Sequence, residues 1–596
     1  MPGGYAGTVL EVNLTTGKIT KKPLDMKEAQ MFIGGRGLGA KWLWDRTKPG
    51  GSPFAPDNPM CFMSGPLNGL PAPATCRLNI VTKSGSTFPK ANPKTAGILH
   101  TSCGGRFTPE LKFAGYDAII VTGASPKPVC LVIEDDKVEI RPADKYWGMG
   151  NYQLQMTLDE DFGRRWRSVY IGPAGENGVR YANVMTEIHR ACGRGGSGAV
   201  MGSKKLKFIV VKGSNSLGIE NMDPWKMANI STHKNMISST GGFSWSDWRR
   251  LGTGMVLSGA SDWGMEACYN FKEGTYDKID GMDGETAIRN LWVGSDGCFM
   301  CPISCLHKGM VRSGKFQGMT HDGPEYEGVM MGANCGVQDM AGWQANIAAA
   351  DDYGLCYISM GNILGFLMEC MEKGAIKPAD LDGINLKWGD VDAMLAIQKK
   401  VAYGKGCGKL IGENLRAMVA KWGKGCEAYA METKGQGFAA WNIRVGDTHM
   451  SYATSSRGAD HLESGNIPTQ NLRLMNDALG VCLFPVISGI KAEDLKDLLN
   501  AATGFKLSME DYWKTAERIY TLERSYNNRE GFTRADDSLP ARAWEPLTYG
   551  SQKGVKLTPE GFNKELDAYY AARGWDNKAV PTKARIKELG LEGIVG

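Results

Sequence analysis

The hydrophobic positions in the first third of the chain alternate with polar positions over short runs, a period typical of half-buried β-strands. The segment GTVLEVNLTTGKITKKPL contains two such runs around residues 15–17, which predicts a β-hairpin. Further runs follow in DAIIVTGASPKPVCLVIEDDKVEIRPA, RSVYIGPAGENG and KFIVVKG. Because short turns rather than helical crossovers join these runs, we expect largely antiparallel sheets.

After residue 213 the apolar positions recur three and four residues apart, which predicts amphipathic helices that end at glycines. Examples are MAGWQANIAAADDYG, MGNILGFLMECMEKG, VDAMLAIQKKVAYGKG and KAEDLKDLLNAATG. The pattern therefore indicates an α+β fold, with a β-rich domain over residues 1–213 and mainly helical domains over 214–427 and 428–596. The second boundary rests on the glycines of residues 423–425.

Composition narrows the class of protein. The 596 residues exceed one ordinary core, and 42% hydrophobic with 22% charged residues is typical of a folded globular chain. A net charge of +5, with no basic stripe interleaved with aromatic residues, argues against nucleic acid as a partner. We expect no membrane span, because no run of about 18 apolar residues occurs. The scattered, odd set of 15 cysteines and the lack of a signal-peptide pattern favour the reducing cytoplasm.

The segment GCFMCPISC places thiols at Cys298, Cys301 and Cys305. These spacings share one face of a helix, so simple packing is one interpretation. Pro302 and Gly297 disfavour a regular helix here, and the spacing Cys-x2-Cys-x3-Cys is typical of a zinc or iron–sulfur site. The metal interpretation is favoured, and it requires a fourth ligand from elsewhere in the chain.

Two distant segments share the pattern Asp-x-x-Gly-x-Cys. DDYGLC contains Asp351, Gly354 and Cys356. DALGVC contains Asp477, Gly480 and Cys482 at the same spacing. The match is either chance or a pseudo-symmetric pair of binding elements. In the second case each carboxylate would accept hydrogen bonds from the ring N–H groups of a nitrogen heterocycle. Either cysteine could also complete the thiol site, and spacing alone does not decide between them.

Two glycine-rich segments invite a phosphate-binding interpretation. In residues 189–213 the cations Arg190, Arg194, Lys204 and Lys205 flank a glycine-rich turn, which predicts an anion cradle or, alternatively, a basic surface loop. The segment GGRGLGA, residues 34–40, resembles a dinucleotide loop. It follows a helix-like segment rather than a strand, so that interpretation is not favoured.

Two further segments carry residues suited to proton transfer. GPEYEG places Glu325 and Glu327 around Tyr326, and SYATSSRGADHLESG contains His461. Each residue taken singly is more typical of an ordinary surface or satisfied polar side chain. A glutamate and a histidine brought to one cavity would be able to move a proton and polarise a carbonyl group.

Taken together, these segments resemble the tungsten-containing aldehyde ferredoxin oxidoreductase family. The resemblance extends over essentially the whole chain, in the family's order. It is carried by GYAGTVLEVNLTTGKI, ELKFAGYDAIIVTG, GRGGSGAVMGSKKLK, CFMCPISC, GPEYE, DDYGLC, SSRGADHL, DALGVC and YYAARGWDNKAVPTKARIKELGL.

The resemblance implies a set of cofactors and residues. It implies tungsten, or molybdenum, held by two pyranopterins at the junction of the β domain and the two helical domains, with Mg²⁺ bridging the pterin phosphates and a [4Fe–4S] cluster nearby. The implied cluster ligands are Cys298, Cys301, Cys305 and Cys482. The implied cofactor-binding residues are Arg77, Ser102, Arg190, Ala191, Arg194, Gly195, Asp351, Gly354, Asp477 and Gly480. The implied catalytic residues are Glu327, His461 and Tyr326.

The implied reaction is oxidation of a small aldehyde to the carboxylic acid, with electrons passed to ferredoxin or to an iron–sulfur subunit. A homodimer and a hetero-oligomer both stay open. Cys356 departs from the family, which more often has Asp there, and we expect it to play a passive part. The segment GASDWGMEACYNFKEG also departs, which leaves the substrate open. The alternatives are a reductase of an aryl-coenzyme A thioester or carboxylic acid, and a non-catalytic iron–sulfur or zinc scaffold.

Overall fold

A computed structural model describes residues 2–240, 242–423 and 425–595 of the chain. The N-terminal third contains the strands of two sheets. The first sheet is formed by Thr8–Asn13 (β1), Lys18–Pro23 (β2), Met60–Met63 (β3), Leu78–Lys83 (β4), Ile98–Cys103 (β5) and Ala118–Thr122 (β6). The second is formed by Val129–Glu134 (β7), Lys137–Pro142 (β8), Arg167–Tyr170 (β9), Val184–Thr186 (β10), Arg190–Cys192 (β11) and Leu206–Lys212 (β12).

Both sheets are largely antiparallel, as the short turns predicted. The strand order is β2-β1-β6-β3-β4-β5 in the first and β11-β10-β9-β12-β7-β8 in the second. Each contains one parallel pair, β1 with β6 and β7 with β12, because in each case the chain makes a longer excursion before it returns. The two sheets share a core of apolar side chains, to which Leu10, Ile119 and Ile209 belong.

The first third also contains helices, which flank the sheets. They are Met26–Phe32 (α1), Gly35–Arg46 (α2), Phe107–Phe113 (α3), Asn151–Phe162 (α4), Pro173–Glu176 (α5) and Ser197–Ser203 (α6).

Helices dominate the rest of the chain, as the periodicity predicted. They begin with Met222–Ile237 (α7), Trp245–Leu251 (α8), Val256–Asp262 (α9), Gly284–Asn290 (α10), Met340–Tyr353 (α11), Tyr357–Glu372 (α12), Val391–Ala402 (α13), Gly408–Ile411 (α14) and Leu415–Trp422 (α15). They continue with Thr448–Thr454 (α16), Ile467–Leu479 (α17), Leu483–Ile487 (α18), Ala492–Thr503 (α19), Met509–Arg529 (α20), Pro559–Arg573 (α21) and Lys583–Glu588 (α22).

Small sheets interrupt the helical part, which the helical period did not predict. One is formed by Trp292–Asp296 (β13), Leu306–Met310 (β14) and Thr320–Asp322 (β15), and another by Glu432–Thr433 (β16) and Gln436–Gly437 (β17). The three thiols of GCFMCPISC lie in the loop between β13 and β14, which is not helical, in agreement with the effect expected of Pro302 and Gly297.

The α+β fold class is therefore confirmed. No helix in the described ranges is both long enough and apolar enough to cross a membrane. The domain boundary expected near residue 427 stays a prediction, and Lys424 beside it lies outside the described residues.

Candidate active site

Four cysteines from two distant segments line one cavity. Cys298, Cys301 and Cys305 enter it from the loop between β13 and β14, and Cys482 enters from the N-terminal cap of α18. Gly104 makes room for the thiols, because a Cβ atom there would lie 2.5 Å from the Cys298 Sγ atom. The spacing left Cys356 and Cys482 as equal candidates for the fourth position, and the fold brings only Cys482 into this cavity.

A fifth thiol, Cys76, also lines the cavity, and the sequence interpretation missed it. Its side chain is 1% exposed and hydrogen-bonds the Cys298 side chain. This hydrogen bond, against the effect of burial and together with Arg190 and Arg77, holds the pKa of Cys298 well below its usual value. A thiolate is the form that ligates soft metals. The one signal in the sequence was the position of Cys76 directly before Arg77.

Arg77 links the thiol cavity to one of the two Asp-x-x-Gly-x-Cys segments. Its guanidinium donates to the Cys482 Sγ atom over 3.2 Å, and its backbone N–H donates to the Gly480 carbonyl oxygen over 3.0 Å. Burial disfavours the charged guanidinium, but the neighbouring thiol groups, led by Cys482, raise the pKa of Arg77 overall. The buried cation is therefore held in place by the thiols it faces.

The two Asp-x-x-Gly-x-Cys segments adopt the same backbone form. In each, the aspartate lies in the last turn of a helix, α11 or α17, and the glycine ends that helix in the left-handed region. The φ and ψ angles are 71° and 33° at Gly354, and 79° and 26° at Gly480. The cysteine then caps the next helix, Cys356 for α12 and Cys482 for α18. The repeated pattern therefore corresponds to a repeated local structure.

Asp351 lies in a buried, imidazole-lined environment. Its Oδ2 atom is 2.9 Å from His321 Nε2, and Asn151 donates to its backbone carbonyl over 2.6 Å. Among the described residues, Asp351 Oδ1 is buried without a hydrogen-bond partner. Burial raises the pKa of Asp351 well above its usual value. This half of the site contains an orphaned carboxylate oxygen that a bound N–H group would satisfy.

Asp477 lies in an arginine-lined environment instead. Its Oδ2 atom is 3.7 Å from Arg36, and Asn79 donates to its backbone carbonyl over 2.9 Å. Ser102 hydrogen-bonds the Asp477 carboxyl group. Arg36 belongs to the GGRGLGA segment, which lies in α2 and packs Gly35 against the Asp477 backbone carbonyl. That segment is therefore part of this site rather than a dinucleotide loop.

Arg36 is 1% exposed and compensates several carboxylates at once. Besides Asp477 it pairs with Glu463 over 2.8 Å and with Glu523 over 2.7 Å. Burial lowers the stability of its charged form, but these carboxylates raise its pKa well above the usual value. The sequence interpretation missed Arg36, because its partners lie more than 400 positions away.

The glycine-rich basic segment divides between two roles. Arg190 lines the thiol cavity, and Ala191 follows it in β11. Arg194 is buried, donates to the carbonyl oxygens of Gly437 and Ala459, and has two guanidinium nitrogens without partners in the described part of the chain. Gly195 has a φ of 73° and packs on Leu99.

The two lysines of that segment do not join an anion cradle, contrary to one of the two interpretations. Lys204 is buried and donates to the carbonyl oxygens of Pro56 and Gly123, and Lys205 lies over the ring of Trp147. Their charges are therefore used in local contacts, with carbonyl oxygens in one case and with an aromatic ring in the other.

Glu327 and His461 meet, although the chain places them 134 positions apart. His461 Nε2 lies 3.6 Å from Glu327 Oε1, and His461 Nδ1 is buried without a partner within the described ranges. Tyr326 is buried, packs its ring 4.8 Å from that of Trp441, and donates its hydroxyl to the Ala440 carbonyl over 3.5 Å. Burial raises the pKa of Tyr326 well above its usual value, so the phenol keeps its proton.

Cys356, the counterpart of Cys482, caps a helix. Its Sγ atom accepts a hydrogen bond from the Ser359 backbone N–H over 3.4 Å, at the start of α12. The thiol thereby satisfies one of the unpaired N–H groups of the first helical turn, and its passive part stays a prediction.

Two family models match most of the chain. The family model for the N-terminal domain of aldehyde ferredoxin oxidoreductase matches residues 9–213, and the model for domains 2 and 3 matches residues 231–591. The tungsten-containing aldehyde ferredoxin oxidoreductase of Pyrococcus abyssi is 35% identical, over 99% of this chain and 100% of the relative. The aliphatic sulfonate oxidoreductase, WOR-like subunit, of Pyrococcus furiosus is 32% identical, over 98% of this chain and 97% of the relative.

A solved structure has the same fold. The active site complex BamBC of benzoyl coenzyme A reductase, in complex with 1,5-dienoyl-CoA, superimposes with a TM-score of 0.84 at 24% sequence identity. The match covers 100% of this chain and 98% of the other. At that identity the likeness establishes the architecture alone.

Proposed function

We propose that this chain, which belongs to the aldehyde ferredoxin oxidoreductase family, oxidises an aldehyde to the carboxylic acid at a tungsten bis-pyranopterin centre. The family makes the chain an oxidoreductase, so the scaffold alternative is not carried forward. The observation that carries the proposal is the Glu327–His461 pair beside buried Tyr326. Glu327 lies in the 3-10 helix Tyr326–Met330, and His461 lies in the loop between α16 and α17.

The donor groups of the chain fit the cofactors that the family implies. Four thiols in one cavity suit a [4Fe–4S] cluster, with Cys298, Cys301, Cys305 and Cys482 as its ligands. The orphaned Asp351 Oδ1 atom, and Asp477 in the matching turn, suit the N–H edges of two pterins. Arg77, Ser102 and the 190–195 segment with Gly354 and Gly480 would hold the remaining parts of the pterins, whose phosphates Mg²⁺ would bridge.

The overall reaction converts an aldehyde and water into a carboxylic acid, two electrons and two protons. When bound, the metal–pterin centre supplies the two-electron redox chemistry, and the cluster supplies one-electron transfer to a carrier. Molybdenum in place of tungsten would bind the same two pyranopterins, so the residues that hold the cofactor would be the same.

The protein side chains bind the substrate and move protons. Glu327 accepts a proton from the attacking water, because it is the carboxylate adjacent to the unpaired imidazole. His461 donates a hydrogen bond to the aldehyde oxygen and so polarises the carbonyl group. Tyr326, which keeps its proton, would exchange its long hydrogen bond to the Ala440 carbonyl for a second hydrogen bond to the same aldehyde oxygen.

Glu327→Gln tests this assignment. The variant cannot accept the proton, so kcat for aldehyde oxidation with a viologen dye should fall by about 10²–10⁴-fold. Tungsten, iron and pterin contents should stay at wild-type values. The control is Glu565→Gln, because Glu565 also contacts a histidine, 2.6 Å from His449, and is half exposed. Wild-type turnover in Glu327→Gln would remove Glu327 from the mechanism.

The second candidate reaction is reduction of a carboxylic acid or an aryl-coenzyme A thioester. The relative named as an aliphatic sulfonate oxidoreductase subunit is nearly as similar as the aldehyde oxidoreductases, so membership of the family leaves the substrate open. A panel of aliphatic and aromatic aldehydes, assayed beside thioester and carboxylate reduction with reduced viologen, separates the two. Turnover of thioesters with no turnover of any aldehyde would replace the first proposal with the second.

The proposed electron partner is ferredoxin or a separate iron–sulfur subunit, since single electrons must leave a cluster of the expected kind. One relative is itself named as a subunit, which supports a hetero-oligomer, while a homodimer stays a prediction. The cytoplasmic location also stays a prediction.

A further inference from the structure

Three side chains from three separate parts of the chain meet at one buried position, and Asp351 is one of them. His189 directly precedes β11, His321 lies in β15, and Asp351 lies in the last turn of α11. One ligand-capable atom from each lies within 4.8 Å of the others. A divalent ion with bonds of about 2.0–2.2 Å would hold such atoms roughly 3–3.5 Å apart. The three side chains therefore need to move towards one another by only about 1–2 Å to ligate an ion.

Buried polar atoms around these three residues lack partners. In the described part of the chain, no hydrogen bond reaches His189 Nδ1, Asp351 Oδ1, Gln344 Oε1 or either carboxylate oxygen of Asp322. Buried polar groups are almost always paired, because a buried donor or acceptor without a partner loses its hydrogen bonds to water and gains none in return. A simple His321–Asp351 hydrogen bond accounts for only one atom of each residue. The rest of the set indicates a missing ligand rather than a satisfied core pair.

The unpartnered atoms in this pocket favour a metal ion over a neutral heterocycle alone. Asp322 and Asp351 are both buried, and His189 Nε2 lies 3.7 Å from Asp322 Oδ1. The N–H edge of a pterin would satisfy Asp351 Oδ1, and the positive charge of Arg190 favours the ionised form of Asp322. Neither gives a partner to His189 Nδ1, which is buried without one in the described part of the chain.

We propose that His189, His321 and Asp351 bind one divalent transition-metal ion of the zinc or ferrous class. Two imidazoles and one carboxylate are the ligand set that such ions prefer over magnesium or calcium. Asp322 would accept the hydrogen bond of the unligated His189 nitrogen, and Gln344, which contacts His321 Nδ1, would orient the second ring. Asp351 Oδ1 stays free for the pterin, so this site adds to the proposed function without replacing any part of it.

Element analysis of the anaerobically purified holoenzyme, after dialysis against a chelator, tests the site. Wild-type protein should contain one equivalent of a divalent transition metal beyond tungsten and four irons. His189→Ala/His321→Ala should lose that equivalent at least tenfold. The control is His449→Ala, because His449 is also a buried imidazole in contact with a carboxylate. Absence of the extra equivalent from wild type, or its retention in the double variant, would overturn the proposal.

X-ray absorption at the zinc edge, on protein that holds zinc as the extra metal so that the cluster irons do not contribute, provides a measurement that needs no variant. A first shell of nitrogen and oxygen at about 2.0–2.2 Å, with imidazole scattering, is expected. Sulfur in the first shell would place the ion among the thiols and would refute the site. Tungsten and pterin contents are scored on the same samples. If tungsten and pterin are absent while the extra metal is present, only the proposed function is refuted. If tungsten and pterin are present while the extra metal is absent, only this site is refuted.

Discussion

The two Asp-x-x-Gly-x-Cys turns have the same backbone but opposite surroundings. In the Asp351 turn the carboxylate contacts a neutral imidazole, and the cysteine caps a helix. In the Asp477 turn the carboxylate faces the buried guanidinium of Arg36, and the cysteine lines the thiol cavity. Asn151 and Asn79 hold the two aspartate carbonyls in the same way. The repeated sequence therefore gives the same backbone turn with an aspartate at the same place. The neighbouring elements determine which groups surround that aspartate.

The difference indicates a division of labour between the halves. The Asp477 half is bonded directly to the thiol cavity, since Arg77 bonds both the Gly480 carbonyl and the Cys482 sulfur. Electrons would leave the site on that side, where fixed cations stabilise negative charge. The Asp351 carboxyl group itself has an unpaired oxygen among the described residues, which suits ligand binding.

The largest expected effect comes from exchanging the two cysteines for serine. Cys482→Ser removes a proposed cluster ligand, so iron content should fall from four equivalents towards zero. Cys356→Ser should retain all iron, because serine caps a helix N-terminus as well as cysteine does. Iron analysis and the low-temperature EPR spectrum of the reduced protein measure both. Equal iron content in the two variants would contradict the claim that Cys482, and not Cys356, is a cluster ligand.

The next largest effect is expected at Arg36. Arg36→Met strands Glu463, Glu523 and Asp477 without their shared cation, so the free energy of unfolding should fall by about 3–5 kcal/mol. The control is Arg444→Met, because Arg444 is buried but bonds mainly to carbonyl oxygens, and its loss should cost about 1–3 kcal/mol. Denaturant unfolding measures both. A cost at Arg36 no greater than that at Arg444 would contradict the cation-lined description of the Asp477 half.

The smallest effect is expected at the left-handed glycine that ends the helix in both halves. Gly354→Ala and Gly480→Ala each force a left-handed alanine, which costs about 1–2 kcal/mol. Both should cost more than that, because the new Cβ atom would lie 2.9 Å from the Gly172 nitrogen in one case and overlap the Asn68 amide in the other. Gly17→Ala, at a φ of 70° with nothing within 4 Å, measures the conformational cost alone. Thermal unfolding that ranked Gly17→Ala highest would refute the shared close packing.

The sequence by itself determined the local features of this protein. The alternating runs, the helical segments and the glycine stops were predicted, because strand and helix periods depend on residues a few positions apart. The non-helical thiol loop was predicted for the same reason, from Gly297 and Pro302. The resemblance to a family then supplied the cofactors and the candidate residues, which local pattern could not.

Only the tertiary structure decided which distant residues meet. It brought Cys482 rather than Cys356 to the thiol cavity, added Cys76, and placed Arg36 beside Asp477. It also gathered His189 and His321 at Asp351, and it turned Lys204 and Lys205 away from an anion site. These outcomes depend on packing between segments hundreds of positions apart, and no short-range period along the chain encodes which buried charge will face which partner.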